Sequence, residues 1–288
     1  MFEANETLEA ARVRNVRDAL AEDIGRGDWT AQLVPATQRV RARVIVREAA
    51  ALCGREWFEA CVLALDAQAH IDWHHAEGAS MAANDAVCHI DSNARALLSA
   101  ERPALNFLQL LSATATLTRR HVDAIDGASP NPRGCSILDT RKTLPGLRQA
   151  QKYAVRIGGG RNQRMALWHG ILIKENHIAA AGSIAAVLAN ARALNAGVEI
   201  QIEVETLDQL REALTCGANG VMLDNFSLAA MREAVALNAG RAELEVSGGV
   251  QLDSVRAIAA TGVDRISVGA LTKDVKAVDL SMRVIERL

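Results

Sequence analysis

The sequence predicts an α/β protein in which a unit of mixed helices and strands precedes a barrel of parallel strands. In the second half, four strand ends fall 21 to 23 residues apart, at Glu203, Asp224, Ser247 and Gly269. A strand, a helix and two turns need about that many residues, so the spacing indicates βα repeats. No GxGxxG motif accompanies the repeats, which favours a barrel over a doubly wound sheet.

The first half predicts helices over 7–24 and 54–65, and strands over 39–47, 70–75 and 86–90. The first of these strands alternates arginine with valine or alanine, which is typical of a half-buried strand. A long helical section over 93–125 contains Pro103, and we expect a second helix to begin there because proline is tolerated in a first turn. Arg102 would then stand at an exposed helix junction.

The strands of the second half carry polar residues on one face and apolar residues on the other. Gln201 and Glu203 alternate with isoleucine and valine, and Glu245 and Arg265 follow the same rule in later strands. Outer helices need the apolar face, so the polar face looks into the barrel. Buried charges without partners are very costly, and a polar interior therefore indicates water or a ligand.

Composition limits the class of protein. The 288 residues carry a formal charge of −2 with a pI near 6.4, which argues against a nucleic-acid partner. An odd number of cysteines, five, favours a reducing compartment. We find no signal peptide and no apolar run that would span a membrane, and we expect a cytoplasmic protein.

Positive charge is concentrated in one stretch, Leu138–His177. Between Asp139 and His177 lie eight lysines or arginines and two acids, interrupted by three consecutive glycines at 158–160. A solvated basic surface is the alternative, but later residues converge on the same place. Seven residues fall at or just beyond predicted strand ends, the edge where barrel active sites form: Arg141, Lys142, Lys174, Glu203, Asp224, Ser247 and Gly269.

Each residue type suggests a ligand. Arg141 and Arg164 suit carboxylates, and the two lysines suit the charge of a phosphate or carboxylate. Glycines at 248, 249 and 269 allow close approach of a phosphate, although tight turns would need them equally. Glu203 and Asp224 can hold Mg²⁺ or ribose hydroxyls. The sequence therefore predicts a phosphorylated substrate, with Mg²⁺, beside a small polycarboxylate.

These residues stand in motifs that resemble the quinolinate phosphoribosyltransferase family, a group of type II phosphoribosyltransferases. The matching segments follow in order along nearly the whole chain: EDIGRGDWT, REAAALCGREW, ERPALNF, DTRKTLPGLR, GGGxxxR, LIKENH, EVET, LDNF, EVSGG and ISVGALT. The resemblance implies transfer of phosphoribosyl from phosphoribosyl pyrophosphate to quinolinate with decarboxylation. The products would be nicotinate mononucleotide, pyrophosphate and CO₂, in NAD biosynthesis with Mg²⁺.

The resemblance also implies a fold and a set of roles. The fold would be an N-terminal α/β sandwich domain over 1–115, joined by a C-terminal helix over 274–288, and an incomplete α/β barrel over 116–273. Arg102 would complete the site of the neighbouring subunit in a homodimer. Quinolinate would be bound by Arg102, Arg141, Arg164 and Lys174; Lys142, Glu203 and Asp224 would be catalytic; and phosphoribosyl pyrophosphate would be bound by Lys142, Glu203, Asp224, Ser247, Gly248, Gly249 and Gly269.

The chain departs from the family pattern at Gln163, where a histidine is common, and near His169, where an aspartate is frequent. Three alternatives stay open. They are a related phosphoribosyltransferase with another acceptor, a Schiff-base aldolase that uses Lys174 or Lys142, and a non-enzymatic anion-binding module.

Overall fold

A computed structural model describes residues 6–288, and it divides into two compact units. The first contains the chain up to Arg119 together with Thr143–Gly159 and Asp274–Leu288. The second contains Arg120–Lys142 and Gly160–Lys273. Thr143–Gly159, which the sequence boundaries placed in the barrel domain, thus groups with the N-terminal unit.

An antiparallel sheet of four strands forms the centre of the N-terminal unit. The strands are β1 (Arg39–Val46), β3 (His70–Trp73), β5 (Ala86–Asn93) and β12 (Leu280–Arg287), in the order β12-β1-β5-β3. Two short strands, β2 (Ala50–Ala51) and β4 (Ser80–Met81), pair separately. In β1 every second side chain is buried, as the alternation predicts, because the valines and Ala42 face the core.

Helices cover the apolar face of this sheet. They are α1 (Leu8–Ile24), α2 (Arg55–Leu65), the long α3 (Ala94–Ile125) and α4 (Arg148–Ile157). Thr7 caps α1 by accepting a hydrogen bond from the amide of Ala10 at 3.1 Å. Trp57 and Phe58 of α2 are fully buried in the same core as Leu108 of α3.

The predicted break at Pro103 is wrong, because α3 is one continuous helix of 32 residues with the proline inside it. Proline removes one N–H donor and crowds the preceding turn. The buried side chains of Leu97, Leu105 and Leu108 on both sides of the proline provide the apolar packing that holds the two parts in one helix. Arg102 therefore lies within α3 and not at a junction.

The predicted C-terminal helix is also wrong, because the chain ends in strand β12. Leu280 pairs with Val46, Met282 with Val44 and Val284 with Ala42, antiparallel to β1. The segment LSMRVIER alternates apolar and polar residues at Leu280–Arg283, which suits a strand. Pairing also satisfies the backbone groups along the edge of β1, and a helix would leave these unpaired.

Six parallel strands build the barrel unit. They are β6 (Ser136–Leu138), β7 (Gly170–Ile173), β8 (Glu199–Val204), β9 (Gly220–Asp224), β10 (Glu243–Ser247) and β11 (Arg265–Ser267), in the order β6-β11-β10-β9-β8-β7. Since β6 and β7 are the two edges and do not pair, the barrel is incomplete. Arg161 forms an isolated parallel bridge with Leu138 at the β6 edge.

Helices connect the barrel strands. They are α5 (Glu175–Ala181), α6 (Ile184–Ala193), α7 (Leu207–Thr215), α8 (Leu228–Asn238), α9 (Val255–Ala259) and α10 (Ala270–Lys273). Ser183, Thr206 and Ser227 cap α6, α7 and α8 with their hydroxyl groups. In the described chain, every helix is too short or too polar to cross a bilayer.

Candidate active site

The strand ends bring the predicted residues to one edge of the parallel sheet. Glu203, Asp224 and Ser247 are the last or next-to-last residues of β8, β9 and β10. Arg141, Lys142, Lys174 and Gly269 follow the ends of β6, β7 and β11 within one to four residues. Because all six strands run in the same direction, these side chains emerge at the same edge.

Lys174 and Glu203 form an ion pair at this edge, with 2.7 Å between Nζ and Oε2. The side chain of Glu203 is only 10% exposed and that of Lys174 is 44% exposed. The adjacent ends of β7 and β8 position the two groups, and the amide of Lys174 also donates to Nδ1 of His177 at 3.0 Å. The ammonium of Lys174 and the carboxylate of Glu203 can thus each bind a ligand group of opposite charge.

Asp139 anchors the chain that follows the three glycines. It is fully buried directly after β6, and its carboxylate accepts hydrogen bonds from Nδ2 of Asn162 at 2.6 Å and from the amide of Gln163 at 3.0 Å. Charge-assisted hydrogen bonds of this kind are strong. Sequence reasoning gave Asp139 no role, although an acid between a buried strand and Arg141 was a usable signal.

The polar interior predicted from strand alternation is confirmed by a hydrogen-bonded chain. Ser267 donates to one oxygen of Glu245, and Nε2 of Gln201 donates to the other at 2.9 Å. Nε2 of Gln163 then donates to Oε1 of Gln201 at 3.1 Å. Glu245 is 1% exposed, and burial raises its pKa while the two hydrogen bonds oppose that shift.

The structure does not place Arg164 at the strand-end edge, because its side chain lies beside the beginnings of the strands. Its Nη1 donates to the carbonyl of Gly170, the first residue of β7, at 3.1 Å. Its side chain lines a cavity with Glu199, Glu243 and Arg265, all residues at strand beginnings. Burial, and then the nearby guanidinium of Arg141, lowers the pKa of Arg164. Two neighbouring cations favour a ligand with two negative groups.

The glycine turn after β10 is shaped by a close contact. Gly248 has φ +100°, and a Cβ there would lie 2.2 Å from Oδ1 of Asn225. Asn225 itself donates through its amide to the carbonyl of Ser247 at 3.0 Å and through Nδ2 to Asp224 at 2.8 Å. Sequence reasoning missed Asn225, whose LDNF motif was the available signal. Gly249 also has positive φ, of +58°.

The second glycine site lies beside Lys142. A Cβ at Gly269 would meet Cδ of Lys142 at 3.4 Å, an ordinary contact. The hydroxyl of Thr272 in α10 donates to the carbonyl of Lys142 at 2.7 Å and ties the two strand-end loops together. This places a flexible ammonium group next to a backbone that lacks side-chain bulk.

Arg102 is on α3 in the N-terminal unit, and the structure does not group it with the barrel residues. Its side chain is 57% exposed, and its nearest ionic neighbour is Glu101 at 3.8 Å. Arg102 lines a groove with Arg14 and Asn106 of the same unit. An exposed guanidinium in this position is available to a second molecule.

Two carboxylates at the strand ends are candidate donors for a metal ion. Within residues 6–288 no cluster of three or more histidine, cysteine or acidic residues could hold a metal ion. Mg²⁺, however, commonly takes one or two carboxylates together with waters and substrate phosphates. Glu203 and Asp224, on neighbouring strands β8 and β9, fit that mode of binding.

Family models match both parts of the chain. The model described as quinolinate phosphoribosyl transferase, N-terminal domain, matches residues 28–112, and that of the C-terminal domain matches residues 114–283. A probable nicotinate-nucleotide pyrophosphorylase [carboxylating] from Bacillus subtilis is 40% identical over 91% of this chain and 90% of its own length. The enzyme of that name from Mycobacterium leprae is 38% identical over 96% and 97%.

Solved structures agree with these matches. The nicotinate-nucleotide pyrophosphorylase from Francisella tularensis superposes with a TM-score of 0.92 and 43% identity, covering 99% of this chain and 100% of that one. NadC from Streptococcus pyogenes gives the same TM-score with 34% identity and the same coverage.

Proposed function

Because the chain belongs to the quinolinate phosphoribosyltransferase family, we propose that the strand-end edge of its barrel transfers phosphoribosyl from phosphoribosyl pyrophosphate to quinolinate. The reaction loses pyrophosphate and CO₂ and gives nicotinate mononucleotide, a precursor of NAD. The observation that carries the proposal is the gathering of cations, carboxylates and glycines at one edge of a single parallel sheet.

Quinolinate is held through its two carboxylates. Arg141 and Arg164 are close enough for one guanidinium to lower the pKa of the other, and a dianion between them would relieve this repulsion. Arginine binds carboxylate with two parallel hydrogen bonds, which also fixes the plane of the ring. Lys174 contributes a third cation from the end of β7.

The phosphoribosyl donor is held by the later strands. Its 5-phosphate lies against Ser247, Gly248, Gly249 and Gly269, where backbone groups can approach a phosphate closely. Glu203 and Asp224 bind the ribose hydroxyls, directly or through Mg²⁺. Lys142, beside Gly269, neutralises the pyrophosphate.

Catalysis of this transfer depends more on positioning of the two substrates than on proton transfer. The quinolinate ring nitrogen is already a nucleophile, and it attacks the anomeric carbon as pyrophosphate departs through an oxocarbenium-like state. Lys142 stabilises the charge that develops on the leaving group. The new pyridinium nitrogen then stabilises the carbanion left by loss of the adjacent carboxylate as CO₂, and a proton from water forms the C–H bond of the product. No general base is required, which fits a site without a histidine at position 163.

Mg²⁺ is proposed as the cofactor, with Glu203 and Asp224 as its protein ligands. When bound, the ion neutralises pyrophosphate charge. Glu203 now pairs with Lys174, so its carboxylate must be shared or released when both substrates are present. Release of that pair would free Lys174 for a quinolinate carboxylate.

A homodimer is proposed as the active assembly, with Arg102 reaching the site of the neighbouring subunit. The exposure of its guanidinium supports this. Among the ion pairs described for residues 6–288, the one that includes Arg102 is with Glu101, at 3.8 Å. A cytoplasmic location is also proposed, and it rests on the odd number of cysteines.

The decisive experiment measures nicotinate mononucleotide formed from quinolinate and phosphoribosyl pyrophosphate, with and without Mg²⁺. We expect turnover with quinolinate and Mg²⁺ and very little with nicotinate. Equal turnover of nicotinate would favour a related transferase with another acceptor. Borohydride trapping of Lys174 or Lys142 with a carbonyl substrate would favour an aldolase.

A further inference from the structure

An amide pair at the centre of the barrel, Gln163 and Gln201, has no part in the functions assigned so far. Gln201 points inward from the middle of β8, two residues before Glu203. Its side chain joins Glu245 of β10 to Gln163 of the loop after the glycines, through hydrogen bonds of 2.9 Å and 3.1 Å. It therefore links the rigid barrel wall to a segment outside the regular strands.

The direction of this chain of hydrogen bonds is set at its buried end. Both carboxyl oxygens of Glu245 accept hydrogen bonds, one from the hydroxyl of Ser267 and the other from Nε2 of Gln201. Oε1 of Gln201 then faces Gln163, which must present its own Nε2. Each amide in the pair has one orientation that satisfies its neighbour.

The loop is consequently fastened on two sides. Gln163 is held through its backbone amide by Asp139 at 3.0 Å and through its side chain by Gln201. Arg164 is the next residue, and Arg141 follows Asp139 by two positions. The two arginines proposed to bind quinolinate thus extend from one anchored unit.

We propose that Gln201 is a positioning residue for quinolinate binding, which acts through Gln163 to fix Arg164 relative to Arg141. The proposal rests on the function proposed above. Position 201 needs a group that donates on one side and accepts on the other. Glutamate there would set two carboxyl groups against each other, and an apolar side chain would leave Glu245 and Gln163 without this partner.

The test compares Gln201→Met, Gln163→Met and the double variant in the quinolinate assay. Methionine keeps the length of glutamine and fills irregular space, so the barrel should fold. We expect each single variant to raise the quinolinate KM roughly five- to tenfold, with the KM of the phosphoribosyl donor changed less than about twofold. The double variant should resemble the singles, because both break the same contact.

A matched control variant distinguishes a local effect from a general one. Glu212→Gln changes an exposed carboxylate on the outer helix α7, outside the hydrogen-bonded chain, and should leave both KM values unchanged. Gln163→Met removes the same contact from the loop side, so it gives an answer even if Gln201→Met misfolds. The proposal would be overturned by an unchanged quinolinate KM in an active variant or by equal rises in KM for both substrates. Full additivity of the two substitutions in the double variant would also overturn it. Failure of the function itself would show as an inactive wild type.

Discussion

The ammonium of Lys174 lies 2.7 Å from the carboxylate of Glu203, and each residue is a proposed ligand of a different substrate. The pair keeps a nearly buried carboxylate neutralised before substrates arrive. Binding of quinolinate at Lys174 and of ribose or Mg²⁺ at Glu203 would replace this ion pair with one contact to each ligand. The two halves of the site are therefore coupled through a single contact.

Lys174→Met should lower both the free energy of unfolding and the affinity for quinolinate. The variant leaves the carboxylate of Glu203 with little solvent and no ammonium partner, so we expect the free energy of unfolding to fall by about 1–2 kcal/mol. Urea unfolding measures this change. Arg211→Met is the control, because its exposed ion pair with Asp208 should contribute less than about 1 kcal/mol. Equal losses would show that Glu203 does not depend on Lys174.

Arg164→Ala should raise the quinolinate KM at least about tenfold, since a guanidinium that binds a carboxylate contributes mainly to the affinity for that substrate. The KM for phosphoribosyl pyrophosphate should change little. Steady-state kinetics with each substrate varied in turn measures the two KM values separately. Arg211→Ala, on the outer helix α7, serves as a control for loss of positive charge. Similar losses for both substrates would refute the assignment.

Mixing inactive variants tests whether Arg102 acts across a dimer. Arg102→Ala and Arg141→Ala should each be nearly inactive as homodimers. After subunit exchange, half of the dimers are hybrids and each has one intact site, so activity should recover to about a quarter of the wild-type level. A mixture of Arg141→Ala with Lys174→Met should recover nothing, because both residues belong to the same subunit's site. Absence of recovery in the first mixture would exclude the shared site.

Gly248→Ala should disturb the phosphate side of the site. The new Cβ would clash with Oδ1 of Asn225 at 2.2 Å, and φ +100° is also unfavourable for alanine. We expect a loss of about 2–4 kcal/mol in the free energy of unfolding and a higher KM for the phosphoribosyl donor. Gly240→Ala separates the two causes, since Gly240 has φ +78° with open space around it and should lose only about 1 kcal/mol.

Strand alternation was sufficient to predict the polar barrel interior, because period-two patterns determine which side chains face inward once helices cover the other face. Glu245 and Gln201 followed from it. Their hydrogen bonds to Gln163 did not, since that contact depends on how an irregular loop returns to the sheet. The C-terminal strand was missed because its pairing with β1 joins residues more than two hundred positions apart.

Pro103 and Asn225 illustrate the same limit. Local rules predict a break at proline, but packing on both sides keeps α3 continuous. Asn225 gains its importance only from the approach of Gly248, which belongs to the following βα unit. Sequence patterns therefore predict which residues lie at the strand ends. The contacts between the loops that carry these residues are seen only in the folded structure.

Glu245→Gln should make stability less dependent on pH. Burial raises the pKa of Glu245 above its ordinary value of 4.5, so the folded protein holds this proton more tightly than the unfolded chain. The free energy of unfolding should fall as pH rises from about 4.5 through the raised pKa, by up to about 1.4 kcal/mol per pH unit. Glutamine can accept from Gln201 and donate to the hydroxyl of Ser267, so the variant keeps both hydrogen bonds and loses this slope.

Urea unfolding at several pH values compares the two proteins. Glu212→Gln, at an exposed position on the outer helix α7, should retain the wild-type slope, and parallel curves for wild type and Glu245→Gln would contradict a raised pKa at Glu245.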